Sequence, residues 1–383
     1  MNICVISPDF PTSKTIDFVF VEQLCRAFSQ QGEIVTVIAP QSLTKCLIRK
    51  IPITPKRFNM EVSPGVIMTV YRPKYITVGN FRGILSNCNK ESFDKTVDRA
   101  LNNLKQAPDV IYGHFWESVR AAFPYAHKHN IPLFVASGEE LVTQQRIDYT
   151  NDEVQRISRY LCGAINVSTN NQKECIEVGL HTRQNSRVIP NSIDNSLFKP
   201  LNREECRRRI GVEENDFVVA FVGQMTQRKG PLRLDQALSE LNDDRVKAIF
   251  IGKGNQEPTY KQILVHGTIP HSDLPLYLSA SDVFVLPTLH EGCCNAIIEA
   301  MACGVPIISS NLPFNYDILN DENSIMVNPE CVNEIKSAIS VLINDPSRRE
   351  AMAKKALEKA SELTLPKRAD KIISFIQSSI RKK

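Results

Sequence analysis

Residues 283–309 read VFVLPTLHEGCCNAIIEAMACGVPIIS, and the order of residue types in this stretch decides the kind of fold the chain can adopt. Val283–Leu286 is a short β-branched, apolar run closed by Pro287, as in a buried strand. Thr288–Cys294 is a polar loop. Asn295–Cys303 has the length and spacing of a short helix, which Gly304 stops, and Val305–Ser309 is the next strand. Strand, loop, helix and strand make the parallel crossover unit of an α/β sheet. Glu291 and Glu299 bracket the helix start, eight residues apart. On one continuous helix that spacing is about 80° of rotation, so the two carboxylates would diverge. They converge only if Glu291 lies before the helix, at the carboxyl end of the strand, where open α/β sheets hold ligands. Two solvated glutamates near a helix start are the ordinary alternative, and spacing leaves it open.

The chain has 383 residues, enough for two or three domains. It is 42% hydrophobic and 23% charged, an ordinary globular composition. The net charge of +4 is too small to argue for a nucleic-acid partner. No run of 18 apolar residues predicts a membrane span. The start, MNICVISPDFP, reads as strand and turn rather than as a signal peptide. The eleven cysteines include no C-x-x-C and form no Cys/His cluster with metal-ligand spacing. A cytoplasmic protein with reduced thiols and no metal site is expected.

Outward from the opening stretch, the same pattern recurs along the chain. Asn2–Ser7 reads as a strand, 8–17 as a loop, 18–32 as a helix ended by Gly32, and 33–40 as a second strand. Residues 93–104 predict a helix, 108–114 a strand ending at His114, 116–130 a helix, and 131–140 a strand running into Gly138, Glu139 and Glu140. Residues 154–161 predict a helix, 162–169 a strand, and 170–180 a helix capped by Asn170 or Asn171. After Pro200 the pattern starts again, with strands over 216–224, 245–254 and 263–270. The chain ends in an amphipathic helix whose apolar stripe is Ala369, Ile372, Ile373 and Ile376. Two doubly wound halves joined near residues 190–200 are expected.

Residues 41–90 differ. They carry nine basic residues (Lys45, Arg49, Lys50, Lys56, Arg57, Arg72, Lys74, Arg82, Lys90) and one acid, Glu61, interleaved with apolar side chains. Such a segment suits an anionic membrane surface or a pyrophosphate-bearing acceptor. A solvated basic loop region is the alternative. His114, at the end of a parallel strand, is either a structural or a functional histidine.

The loop Gln227–Gly230, QRKG, offers Arg228 for bidentate contact and Lys229 as a point charge toward phosphate. Cations at a helix start are unfavourable unless an anion is present, which favours a functional reading.

Together these features resemble glycosyltransferase family 4, of GT-B fold. The E-x7-E motif is Glu291 to Glu299, VGQMTQRKG is similar to the donor-phosphate loop, and IPNSIDNSLFKP to the interdomain linker. HGTIPHSDLPLYLSASDVFVLPT is similar to the stretch leading into the motif, and FVFVEQL and GHFWES more loosely to N-terminal segments. The resemblance implies an α/β protein of two doubly wound Rossmann-like domains facing a cleft. The acceptor domain would span 1–195, the donor domain 196–365, and a terminal helix, 366–383, would cross back to the first. It implies a retaining, metal-independent transferase moving a sugar from a UDP- or GDP-linked donor to a hydroxyl of a glycan or lipid-linked acceptor, in cell-surface polysaccharide or lipopolysaccharide synthesis. The nucleotide sugar is substrate, and no cofactor is expected. The enzyme is expected to be cytoplasmic and peripheral on the inner membrane face through residues 41–90.

The resemblance also implies roles. Glu299 would hold the ribose hydroxyls and Glu291 the donor sugar. The backbone from Gly292 and Cys293 through Cys294, Asn295 and Ala296 would face diphosphate or sugar. Arg228 and Lys229 would neutralise the leaving diphosphate, beside Gly223 and Gln224, and the base would lie near Ile269 and Leu274. On the acceptor side stand His114, as a catalytic candidate, with Phe18, Ser137 and Glu139. Some positions depart from the pattern. Gln224 stands where the family often has Arg, Thr15–Phe18 replaces a glycine-rich loop, and Ser137–Glu140 replaces a histidine-bearing segment. Ser192 and Asn315 replace a common glycine and glutamate. A degenerate GT-B subunit with a binding role, or a nucleotide-sugar epimerase, are the alternatives.

Overall fold

A computed structural model describes residues 1–12, 15, 18–78, 84–139, 142–147 and 149–381, with backbone alone for 84–86, 144, 145 and 147. Phe81, Arg82 and Glu140, and Ile16 and Asp17 of the segment replacing the glycine-rich loop, lie outside the described residues. The chain divides into two compact units, Met1–Ile189 with Leu365–Lys383, and Pro190–Thr364.

The first unit holds strands β1 (Asn2–Ile6), β2 (Ile34–Ile38), β3 (Gln41–Ser42), β4 (Arg57–Ser63), β5 (Val66–Tyr71), β6 (Lys74–Tyr75), β7 (Val110–His114), β8 (Leu133–Ser137), β9 (Gly163–Asn166) and β10 (Ser186–Val188). Its main sheet runs β10-β9-β8-β7-β1-β2-β5-β4, parallel except for the edge pair β4–β5. But for Asn2, the central strands β1, β7, β8 and β9 are buried along their length, as in a sheet covered by helices on both faces, while the edge strand β4 carries exposed Arg57, Asn59 and Glu61. One layer of core joins Ile3, Val5 and Phe134 to Val21, Leu24 and Phe28 of the helix Val19–Gln30. The same layer takes in Ala369, Ile372, Phe375 and Ile376 of the last helix, Leu365–Ile380. Arg368 donates to Ile189 O at 2.7 Å, fixing that helix to the end of the sheet. Within 41–78 the sequence reading missed structure. The region holds a short helix, Leu43–Arg49, and the β4–β5 hairpin, turned at Gly65 with φ +79. The helix over 169–177 is capped by Ser168, which accepts from Asn171 N, and not by Asn170 or Asn171. Asn171 is buried instead and accepts from Asn166.

The second unit holds β11 (Phe217–Val222), β12 (Val246–Ile251), β13 (Ile263–Gly267), β14 (Val283–Leu286), β15 (Ile307–Ser310) and β16 (Ser324–Val327), in the order β13-β12-β11-β14-β15-β16, all parallel. Each sheet has one switch point, where the strand order reverses: β1 beside β7 in the first and β11 beside β14 in the second. The crevice outside the carboxyl ends at such a point is where open sheets bind ligands.

Candidate active site

At the β11/β14 switch point two loops meet. The loop after β11 carries Arg228 and Lys229; the loop after β14 carries Glu291. They are stitched by Leu289 N donating to Arg228 O at 2.8 Å. Arg233, on the helix Pro231–Leu241, donates to Gln227 O at 2.8 Å and to Pro287 O at 2.7 Å. Gly230 is required at the turn between them: its φ is +78, and a Cβ there would lie 2.7 Å from Pro287 O.

Glu291 lies before the helix Asn295–Ala302, as convergence of the carboxylates demands. Three donors share its Oε1: Lys229 Nζ at 2.5 Å, Arg228 Nη1 at 2.8 Å and Thr288 Oγ1 at 2.8 Å. Arg228 also donates to His290 O at 2.9 Å. Burial would push the Lys229 ammonium down, but the Cys294 and Glu291 side chains outweigh it and hold the pKa above its ordinary value. Burial raises the pKa of the Cys294 thiol. Lys229 Nζ stands 3.9 Å from Cys294 Sγ. Two cations and one carboxylate leave a net positive charge in a largely desolvated place, which favours an anion there.

The helix start adds to this. Cys294 is its N-cap: its thiol faces the N–H groups of Ala296 and Ile297 without a close cap hydrogen bond, a weaker acceptor than the oxygen Ser, Thr, Asn or Asp would supply. Cys293 is fixed from behind by Asn191 Nδ2, which donates to its carbonyl at 3.0 Å. Cys293, Cys294 and Gly292 are buried, and Asn295 and Ala296 are half-buried. Gly223 lies against the Lys229 stem, a Cβ there meeting it at 3.6 Å, and Gln224 is exposed beside it.

Glu299 projects from the second turn, and its Oε1 lies 3.0 Å from His271 Nε2. That hydrogen bond raises the His271 pKa, opposed by burial. Phe198 packs against the imidazole with centroids 5.1 Å apart. Ile269 and Leu274 flank His271 in sequence, the first half-buried and the second buried. The sequence reading missed His271, Thr288 and Arg233. Their partners lie 28, 3 and 54 residues away; only the Thr288–Glu291 spacing gave a local signal.

The candidates of the first unit gather at the β1/β7 switch point. His114 ends β7, buried, with ring centroids of Phe115, Phe20 and Tyr112 at 4.6, 5.2 and 6.4 Å. Burial, aided by the Arg368 charge, pushes its pKa down to about 3. Nδ1 is buried without a hydrogen-bond partner. Phe18 lies in the left-handed region, φ 61, with its ring 5.9 Å from that of Phe115. Phe115 has φ 68 and ψ 158, a region costing about 1–3 kcal/mol for a residue with a Cβ. Glu139 faces inward. Its Oε1 accepts from Trp116 N at 2.8 Å, and its Oε2 accepts from Ser137 Oγ at 2.7 Å and Gly138 N at 2.9 Å. Glu139 thus satisfies the first N–H of the helix Trp116–His129, and Ser137 Oγ accepts from the Trp116 indole Nε1 at 3.3 Å.

Residues 202–359 match the family model described as glycosyl transferases group 1. A protein of Bacillus subtilis strain 168, named as a teichuronic acid biosynthesis glycosyltransferase, is 26% identical over 355 residues, 89% of this chain and 88% of that one. An Escherichia coli UDP-Gal:α-D-GlcNAc-diphosphoundecaprenol α-1,3-galactosyltransferase is 31% identical over 206 residues, 48% of this chain and 52% of that one. Among solved structures, a sucrose-phosphate synthase of Thermosynechococcus elongatus superposes with a TM-score of 0.77 at 19% identity, covering 100% of both chains.

Proposed function

We propose that this chain, a glycosyltransferase of the GT-B fold, is a retaining, metal-independent family 4 enzyme that uses a UDP- or GDP-sugar. The acceptor would be a hydroxyl of a glycan or lipid-linked saccharide. The observation that carries the proposal is the pair of opposed carboxylates at one switch point: Glu291, drawn onto two cations before a weakly capped helix, and Glu299, drawn onto His271 behind it. In this reading the diphosphate binds the helix N–H groups, Arg228 and Lys229. The ribose diol donates to Glu299, whose orientation His271 fixes, and Glu291 orients the sugar. The C1–phosphate bond breaks as the acceptor oxygen bonds C1 on the same face, and the acceptor proton passes to the departing phosphate oxygen. The two cations stabilise the charge that develops there.

An acceptor at the inner membrane face is supported by the exposed bases Lys45, Arg49, Lys50, Lys56 and Arg57, though not by Arg72, which is buried and paired with Asp9, and by the diphosphoundecaprenol acceptor of the E. coli relative. No helix among the described residues is long and apolar enough to cross a membrane.

The test is thermal shift with UDP-, GDP- and ADP-sugars, followed by transfer from a labelled donor panel. One nucleotide should stabilise the fold by about 2.7 kcal/mol at a hundredfold excess over Kd. No shift with any of them would overturn the donor assignment in favour of a binding subunit.

A further inference from the structure

Large apolar side chains are conspicuously exposed in one short region. Leu47 is 82% exposed, Ile48 73%, Ile53 63%, Ile76 63% and Val78 50%. They belong to one surface because the segments carrying them are tied together. Strand β3 pairs with β6, placing Gln41 opposite Lys74 and Ser42 opposite Tyr75. Ser42 Oγ and Thr77 Oγ1 share a hydrogen bond of 2.8 Å, and Thr77 N donates to Thr44 Oγ1 at 3.2 Å. Gln41 donates to Pro52 O at 3.0 Å and accepts from Thr54 N at 3.1 Å, holding the 52–54 loop against the same strand. Ile76 and Val78 therefore flank the start of the helix Leu43–Arg49, and Ile53 lies beyond its end. The helix is pinned underneath by buried Cys46 and presents Leu47 and Ile48 outward.

The charges on this surface point the same way. Lys45, Arg49, Lys50 and Lys56 are exposed. Among the described residues none of the four has an ion-pair partner. The sole acid between residues 41 and 90 is Glu61, on the edge strand β4. Contiguous apolar side chains ringed by cations match an anionic lipid surface: aliphatic tips enter the acyl boundary while Lys and Arg reach the headgroups. A second copy of this chain would bring cation against cation.

We propose that Leu47, Ile48, Ile53, Ile76 and Val78, with Lys45, Arg49, Lys50 and Lys56 around them, form a docking surface for an anionic bilayer. This deepens the inner-face placement above and is independent of the donor assignment. The full chain is co-sedimented with vesicles of phosphatidylcholine alone or containing one-third phosphatidylglycerol, at low and high salt. Binding to the anionic vesicles is expected, weakened by salt. The variant L47D/I48D should lose it while keeping its melting temperature and any nucleotide-induced shift. Each of Lys45→Glu and Lys50→Glu should weaken partition about fivefold or more. Equal binding to both vesicles, no binding to either, or variants that bind as tightly as the parent would overturn the proposal. So would a concentration-dependent dimer that L47D/I48D dissolves, which would assign the surface to a second copy.

Discussion

At the switch point of the Pro190–Thr364 sheet, a carboxylate gathers two cations and a hydroxyl onto one oxygen. At the equivalent point of the Met1–Ile189 sheet, a histidine is walled by three aromatic rings and the nearby carboxylate is spent on a helix start. The same parallel topology thus presents an ionic edge in one unit and a neutral, aromatic, backbone-strained edge in the other. The ionic edge suits a dianionic leaving group whose charge rises during reaction. The aromatic edge suits an acceptor recognised by apolar faces and by few hydrogen bonds. On the proposed function, the contrast would put charge stabilisation in the second unit and selection of the acceptor in the first.

The largest effect that would break this contrast is Lys229→Ala. Removing a preorganised cation from a desolvated site should lower kcat about a hundred- to a thousandfold, with a smaller change in donor affinity. A rise in KM with kcat unchanged would make Lys229 a uniform binder. Next comes Glu299→Ala, expected to weaken nucleotide binding by ~1.5–3 kcal/mol in calorimetry, since it removes a charged acceptor for a diol. Unchanged affinity would place the ribose elsewhere.

Much of the ionic edge was legible in the sequence, for a local reason. Glu291, the helix start and Glu299 lie in one strand–loop–helix stretch, so period and spacing alone put the first carboxylate before the helix. Arg228 and Lys229 were legible because a basic pair at a helix start conflicts with the dipole. His271 and Arg233 were not, because their partners are distant in sequence and only tertiary packing unites them. The aromatic edge was read less well. Its residues were named, but a glutamate at a strand end looks the same in sequence whether it faces a ligand or, like Glu139, folds back on a neighbouring helix. The cap at Ser168 was missed because four successive residues, Ser168 to Asn171, can all cap a helix. The β4–β5 hairpin was missed because a basic surplus dominated the reading of its segment.

The two histidines give the contrast opposite pH signatures. His114 has a depressed folded pKa, about 3, so its contribution to stability is present above the unfolded value near 6.5 and is lost as pH falls toward 3. At pH 5 that loss is about 2 kcal/mol. His114→Asn should flatten the acid limb of the melting temperature between pH 6.5 and 4. His271 has a raised folded pKa, so its contribution is full below about 6.5 and fades as pH rises through the folded value. His271→Asn should flatten the opposite limb. Were both variants to alter the same limb, the neutral and ionic assignments would be wrong.

The smallest expected effect compares two glutamates. Glu139→Gln leaves the shape intact but offers an amide where Trp116 N, Ser137 Oγ and Gly138 N now donate to a carboxylate. One amide nitrogen must then face a donor, costing about 1 kcal/mol of stability. Because Glu139 already accepts three hydrogen bonds within its own unit, kcat/KM should stay within twofold of the parent. Glu291→Gln should differ in activity. It leaves Lys229 and Arg228 without a counter-charge, which lowers stability in the unliganded protein, while the site still attracts a diphosphate, the orienting contact to the sugar weakens and kcat falls. Full activity in Glu139→Gln, beside a fall in kcat for folded, donor-saturated Glu291→Gln, would separate a carboxylate that builds the fold from one that serves the reaction. A fall in kcat/KM for Glu139→Gln at unchanged stability would instead move the acceptor onto the Ser137–Glu139 turn, and the aromatic edge would cease to be the selective one.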